Sequence, residues 1–341
     1  MSALENLLDT ETLVNEVGDT MAVMPHVARK KAGSGGSSLQ AALVARRFYL
    51  DERQKSEIAD EFGISRFKVA RLLDEAKSAG IVRIYIDMPI EADIELGERL
   101  ANSFGLRHAL VAPVPRDNPK AVQTMVANLA ADYLKSTLST EDVLGITWGS
   151  TVARVIDEID LLPAIDTVQM VGGVRSSGLD TNGTELVRRL SDVSGGAAFP
   201  LLAPLIVDSP ITATALRSEA AVSQAMDQFD RLSVAVVGVG SWTPRRSSLI
   251  DEMRDADVDA LLAAGAVADV GAVVLDGQGH LLDSPTSERA LSITLPELRA
   301  IPTVIAVAGG LEKVKAIRAI LSSGVVDVIA TDSLVASQLL A

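Results

Sequence analysis

Apolar residues first recur at helical spacing from Leu39, with Leu39, Ala42, Leu43, Ala45 and Tyr49 marking one stretch. Ile58, Ala59 and Phe62 mark a second, and a third opens at Ser65 and runs through Val69, Leu72, Leu73 and Ala76 to a stop at Gly80. The period then drops to two: in IVRIYIDM, Ile81, Arg83, Tyr85 and Asp87 alternate with Val82, Ile84, Ile86 and Met88. That alternation predicts a strand over 81–88. Residues 38–88 therefore read as a small domain of three helices and a strand. Residues 1–37 hold one weakly amphipathic stretch (Leu4, Leu7, Leu8, Leu13, Val14) and then the tract KKAGSGGSS, and read as a flexible leader and linker.

Beyond Pro89 the pattern changes character. IELGERLANSFG predicts a helix, and short apolar runs predict strands at 109–114, 143–149, 167–173, 199–207, 232–240, 272–279, 303–310 and 327–332. Helix-length stretches such as AVQTMVANLAADYLKSTL and LEKVKAIRAILSSG lie between most of them. Short continuous apolar strands separated by helices predict a mainly parallel sheet covered on both faces. The fold class is thus α/β, a small helical N-terminal domain followed by a large mainly parallel α/β domain over 89–341. A chain of 341 residues has room for both.

Composition narrows the chemistry. The chain has no cysteine, which excludes disulfides, thiolate catalysis and Cys-ligated zinc. Its first residues, MSALENLLDTETLVNEVGDTMAV, carry acids where a secretory signal carries bases, and no apolar run reaches the ~20 residues of a membrane-spanning helix. The expectation is a soluble cytoplasmic protein with no membrane contact, no cofactor and no metal. The net charge is −14, but it is unevenly spread: residues 37–86 hold nine Lys or Arg against seven Asp or Glu, whereas 87–341 hold 19 against 33. A nucleic-acid role, if present, belongs to the first domain.

The segment QKSEIADEFGISRFKVARLLDEAKSAGIVRI carries the most specific signal. A short helix ends near Phe62, Gly63 supplies a turn with positive φ, Ile64 plugs the core and Ser65 caps the next helix. This is the pattern of a helix-turn-helix, with the strand 81–88 as its wing. On the second helix Arg66, Phe67, Lys68 and Arg71 are left for a major groove, Ser65 for a phosphate, and Arg83 on the wing for the DNA backbone.

In the second domain, glycines and hydroxyls follow several predicted strands: GITWGSTV (145–152), VGGV (171–174), GVGS (238–241), GAVADVGAVVLDGQG (265–279) and AVAGGLEKVKAI (306–317), then ATD (330–332). Together with SEIADEFGISRFKVARLL and GIVRI, these motifs resemble the SorC/DeoR sugar-binding transcriptional regulators over residues 38–341. The resemblance implies a sensor domain similar in fold to sugar-phosphate isomerases and deaminases, a sugar, polyol or phosphosugar effector, double-stranded operator DNA as partner, and a homodimer or homotetramer. The residues themselves suit a ligand crevice, because ligands of open α/β sheets bind beyond the carboxyl ends of strands. Gly149, Ser150 and Thr151 are placed to cradle a phosphate or sugar hydroxyl at a helix N-terminus. Gly309, Gly310 and Lys313 repeat that arrangement with a cation, while Asn182, Gly240 and Asp269 are further candidates, and Arg175 and Arg245 possible extra cations. For Gly172, Gly173 and Gly240 plain turn formation is the competing reading, and for Lys313 a solvated surface charge.

The main rival is a phosphosugar isomerase or deaminase, which needs a positioned acid and base. The three histidines, His26, His108 and His280, all fall outside the glycine-rich motifs that end strands. A second rival is an interaction protein whose helix-turn-helix no longer binds DNA.

Overall fold

Two glycine and serine positions set the geometry of the N-terminal helices. In a computed structural model of the chain, residues 35–82, 92–114, 116, 118–175 and 182–341 are described. Helix α1 spans Gly35–Tyr49, α2 Lys55–Phe62 and α3 Arg66–Ser78. Gln54 opens α2 with its amide bonded to the Glu57 carboxylate at 2.9 Å. The helix ends because Gly63 turns left-handed at φ 62, and the Ile64 amide folds back onto the Ala59 carbonyl at 2.9 Å. Ser65 then caps α3, its hydroxyl accepting from the Lys68 amide at 3.2 Å. The three helices close around Ala41, Val44, Ile58, Val69, Leu72 and Ala76, all buried. Helix α1 begins at Gly35, ahead of the boundary expected at 38. The expected wing strand, 81–88, lies outside the described residues from Arg83 onward.

The chain divides into two compact units, the first ending at residue 87 and the second beginning at 88. In the second, strands β1 His108–Ala112, β2 Val143–Ile146, β3 Asp166–Gln169, β4 Ala198–Phe199, β5 Val234–Gly238, β6 Gly240–Ser241, β7 Ala268–Val270, β8 Val273–Leu275, β9 Thr303–Val307 and β10 Val328–Asp332 follow in chain order. Between and around them lie α4 Ile94–Phe104, α5 Pro119–Thr137, α6 Ser150–Asp157, α7 Gly183–Ser194, α8 Pro210–Arg217, α9 Ala220–Met226, α10 Leu249–Glu252, α11 Asp255–Ala263, α12 Pro285–Arg289, α13 Leu295–Ala300, α14 Val314–Ser322 and α15 Ser333–Leu339. Seven strands form one sheet in the order β1-β10-β9-β5-β2-β3-β4, and every pairing in it is parallel.

Both faces of that sheet are buried, which explains why its strands read as continuous apolar runs. Along β5, Ala235 and Val237 enter one core with Val304, Ala306 and Ile329, while Val236 enters the other with Ile305, Val307, Val328 and Ala330. The second core is roofed by α5, α6 and α7 through Val126, Val152, Ile156 and Leu186. Two expectations need correction. The run 199–207 is not a strand: ordered pairing stops at Phe199, and only isolated bridges at Pro204 and Ile206 follow. Pro200 and Pro204 have no amide to offer a ladder. The sequence also hid a small antiparallel sheet, β6-β7-β8, whose middle strand is only Ala268–Val270.

The small unit depends on few large side chains. Leu72→Ala, which removes a fully buried one, is expected to destabilise the three-helix unit by about 3 kcal/mol. Amide exchange over 55–78 should accelerate while β5 and β9 keep their protection. Equal acceleration in both units would contradict separate cores.

Candidate functional site

The direction in which successive strands are added to the sheet reverses between β2 and β5. From β2 the chain moves outward through β3 and β4, and from β5 it moves the opposite way through β9 and β10. Diverging loops leave a crevice at such a point, beyond the carboxyl ends of the strands. Here a cavity of about 120 Å³ is lined by Thr147–Val152 after β2, by Gly238, Val239 and Gly240 at the end of β5, by Arg246, Ser247 and Ser248, and by Asp269 and Lys313. A second hollow, of about 410 Å³, shares Ser150, Thr151, Arg246 and Lys313 with it and extends past Gly309 and Gly310 to Lys120 and Gln123 on α5.

Each wall is fixed by its backbone. The Thr147 hydroxyl accepts from the Gly238 amide at 3.1 Å, tying the ends of β2 and β5 together. Gly149 adopts φ 135 and starts α6 without a side-chain cap, so the first-turn amides of the helix remain open to the cavity. At the other wall Asp332, fully buried at the end of β10, accepts from the Gly310 amide at 2.8 Å through one oxygen. Its second oxygen caps α15 through the Leu334 and Val335 amides, both at 3.0 Å. The ATD motif therefore holds the double-glycine loop in place, a role its position in the sequence did not reveal.

Asp269 lies beneath the crevice floor, 4% exposed, on β7 opposite Gly240. Its carboxylate accepts from the Trp242 indole at 2.9 Å and from the Ser247 hydroxyl. A side chain on Gly240 would clash with that carboxylate, so glycine is required there by the acid behind it. Burial pushes the Asp269 pKa up to about 6, against the opposing pull of the two hydrogen bonds and the Lys313 charge. Lys313 donates to the Val239 carbonyl at 2.9 Å and is held below its usual pKa by burial, with Asp269 opposing that shift. It is a part-buried crevice wall, and not a solvated charge on a helix surface.

The structure thus brings together Gly149, Ser150, Thr151, Gly240, Asp269 and Lys313. Asn182 stands apart: it caps α7, accepting from the Thr184 amide at 3.0 Å, and lines neither hollow. Gly172 serves packing, since a side chain there would strike the Pro204 carbonyl at 2.7 Å, whereas one at Gly173 would make only ordinary contact with the Ala203 carbonyl at 3.8 Å. Arg175 is engaged by Glu252 at 3.1 Å and Arg245 by Asp251 at 3.4 Å. Arg246, next to Arg245, lines both hollows together with Lys313 and is not among the cations that the sequence suggests. Among the described residues no carboxylate pairs with it. His108 packs by Tyr133 and His280 pairs with Asp276, so neither lies in the crevice.

In the first unit, Arg66, Phe67 and Arg71 are exposed on α3 and Lys68 is partly so. Among the described residues none of the three cations has an ion-pair partner. Ser65 is the helix cap, its hydroxyl already engaged by the Lys68 amide. Arg83 lies outside the described residues.

The raised Asp269 pKa has a definite sign in stability. Between the ordinary carboxylate pKa near 3.8 and about 6, the unfolded chain is ionised at this position while the folded chain keeps its proton. Folding is therefore progressively disfavoured as pH rises through that window. Asp269→Asn should gain stability relative to wild type from pH 4 to pH 7 in denaturant titrations. Curves that stay parallel across that range would contradict the buried, proton-retaining carboxyl.

The family described as "Putative sugar-binding domain" matches residues 88–341. The chain is 26% identical over 292 residues to the deoxyribonucleoside regulator of Bacillus subtilis, an alignment covering 84% of this chain and 93% of that one. It is 28% identical over 322 residues to the transcriptional regulator LsrR of an Enterobacter species, covering 92% and 98%. In fold it is similar to the full-length sorbitol operon regulator SorC from Klebsiella pneumoniae, with a TM-score of 0.69 at 24% identity over 88% of this chain and 98% of that one. No described helix is long and apolar enough to cross a membrane. With a parallel sheet, a crevice at its switch point and a family match over most of its length, the chain belongs to the sugar-binding domain family, in a transcriptional regulator of the SorC/DeoR type.

Proposed function

We propose that this chain regulates transcription of a carbohydrate or polyol catabolic operon, binding operator DNA through a winged helix-turn-helix over 38–88 and an effector in the β2/β5 crevice. The observation that carries the reading is the lining of that crevice. Five hydroxyls (Thr147, Ser150, Thr151, Ser247, Ser248), a buried carboxyl and two cations surround a cavity with little apolar wall. A small polyhydroxylated molecule satisfies such donors and acceptors; an apolar one leaves them unpaired at a cost. Arg246 and the open amides of α6 favour an anionic end on that molecule, which suits a phosphosugar over a neutral polyol.

The chain works in this reading as a homodimer or homotetramer, since paired helix-turn-helix units bind paired half-sites one helical turn apart. The effector acts by linkage: it shifts operator affinity only as far as it prefers one state of the protein to the other. Among the described residues that line it, the crevice brings together no paired acid and base at the reacting distance of an isomerase. Its one buried carboxyl is already occupied by Trp242 and Ser247, and the relatives are regulators.

Thermal melting of the full chain against free sugars, polyols and their phosphate esters tests the reading. A ligand present at ~100 times its dissociation constant stabilises the folded state by about 2.7 kcal/mol. A phosphate ester should raise the melting temperature of wild type and fail with Arg246→Ala, which keeps the fold because Arg246 is exposed. Equal stabilisation of both proteins by a neutral polyol would reject the anionic end. Failure of every compound would reject the crevice as the effector site.

A further inference from the structure

Helix α3 presents an aromatic residue where solvent-facing helices normally present polar ones. Phe67 is 87% exposed, the most exposed of the large apolar side chains among the described residues. At about 100° of turn per residue, the buried positions Val69, Leu72, Leu73 and Ala76 average about 190° from Phe67 around the helix. Phe67 therefore stands diametrically opposite the core, at the centre of the outward face. Arg71 follows about 40° away and Ala70 about 60° away, while Arg66 and Lys68 flank it at about 100° on either side.

That placement assigns different tasks to neighbouring residues. When a helix lies in a major groove, residues at the centre of its outward face meet base edges, and residues to the sides meet the two phosphate walls. Arg66 and Lys68 then belong to the walls and Phe67 and Arg71 to the floor. Charge complementarity favours DNA as the occupant. Lys55 and Arg66 border the shallow depression beside Phe67, together with Phe48, Gln54, Ser56 and Ala70. Of these two cations and Lys68 and Arg71, none is neutralised by a carboxylate among the described residues. A phenyl ring makes no hydrogen bond, and the one apolar group that the major groove displays is the 5-methyl of thymine.

We propose that Phe67 is a specificity-determining residue that reads the 5-methyl group of a thymine in each operator half-site. The inference rests on the DNA-binding reading of α3 and deepens it. Arg71, on the same face one turn on, reads an adjacent base edge, and Arg66 and Lys68 set the register.

The test uses the full-length chain and duplexes selected by it from a randomised pool at low salt. Each thymine of a selected duplex is replaced in turn by uracil, which removes the methyl and leaves the pairing unchanged. Loss of one buried methyl corresponds to about fourfold in affinity. One position per half-site should show that loss with wild type and none with Phe67→Ala, whose melting temperature should match wild type. If every uracil is silent with wild type while Arg66→Ala still weakens binding, the thymine role is wrong and DNA binding stands. If Phe67→Ala changes the oligomeric state and not the uracil pattern, the ring docks on protein and the proposal fails. If no duplex is retained from the pool, the DNA-binding reading itself fails and takes this one with it.

Discussion

Parallel pairing throughout the large sheet is the constraint on which the rest of this protein depends. Because all seven strands run the same way, every strand delivers its following loop to one edge. The reversal between β2 and β5 then opens that edge where Gly149 and Gly240 emerge. Parallel strands need helical crossovers, so both faces are covered and the sheet offers no free surface for a ligand except that edge. The crevice is a consequence of topology before it is a consequence of chemistry. What the side chains add is its polarity.

That polarity is held by two buried acids, one bonded to backbone amides and one to side chains. Asp332 fixes the double-glycine loop and the start of α15 together, so the loop that carries Lys313 is set by the end of the neighbouring strand. Asp269 is fixed by Trp242 and Ser247 under Gly240. Asp269 and Lys313 influence each other through charge without closing into an ion pair, and both bear the cost of burial. A polar ligand entering between the walls replaces water near groups that are already partly desolvated. Its hydrogen bonds there count for more than at an exposed surface.

Features governed by local chemistry were legible in the sequence. Gly63 and Ser65 each determine their own backbone or cap, and the structure places both as that chemistry requires. The apolar runs announced a doubly covered sheet because burial on both faces removes polar alternation. Features governed by distant partners were not legible. The strand β7 is three residues long with an acid at its centre, and only its antiparallel neighbours reveal it as sheet. Asn182 looked like a ligand residue and is a helix cap. In TPRRSS two adjacent arginines carry the same chemistry, and only the turn of the loop decides that Arg246 lines the crevice while Arg245 meets Asp251. In 199–207 the apolar run suggests a strand, but Pro200 and Pro204 interrupt the ladder.

In the proposed function, occupancy of the β2/β5 crevice and affinity for operator DNA are two ends of one equilibrium. Coupling of this kind is reciprocal by necessity and amounts to about 1–3 kcal/mol in typical cases. Both dissociation constants should therefore be measured on the full chain, that of the duplex with and without a stabilising effector and that of the effector with and without duplex. The same factor is expected in both directions, and its loss is expected in Ser150→Trp, where the indole fills the crevice mouth and duplex binding without effector is unchanged. An effector that binds without altering the duplex constant, or coupling that persists undiminished in Ser150→Trp, would contradict it.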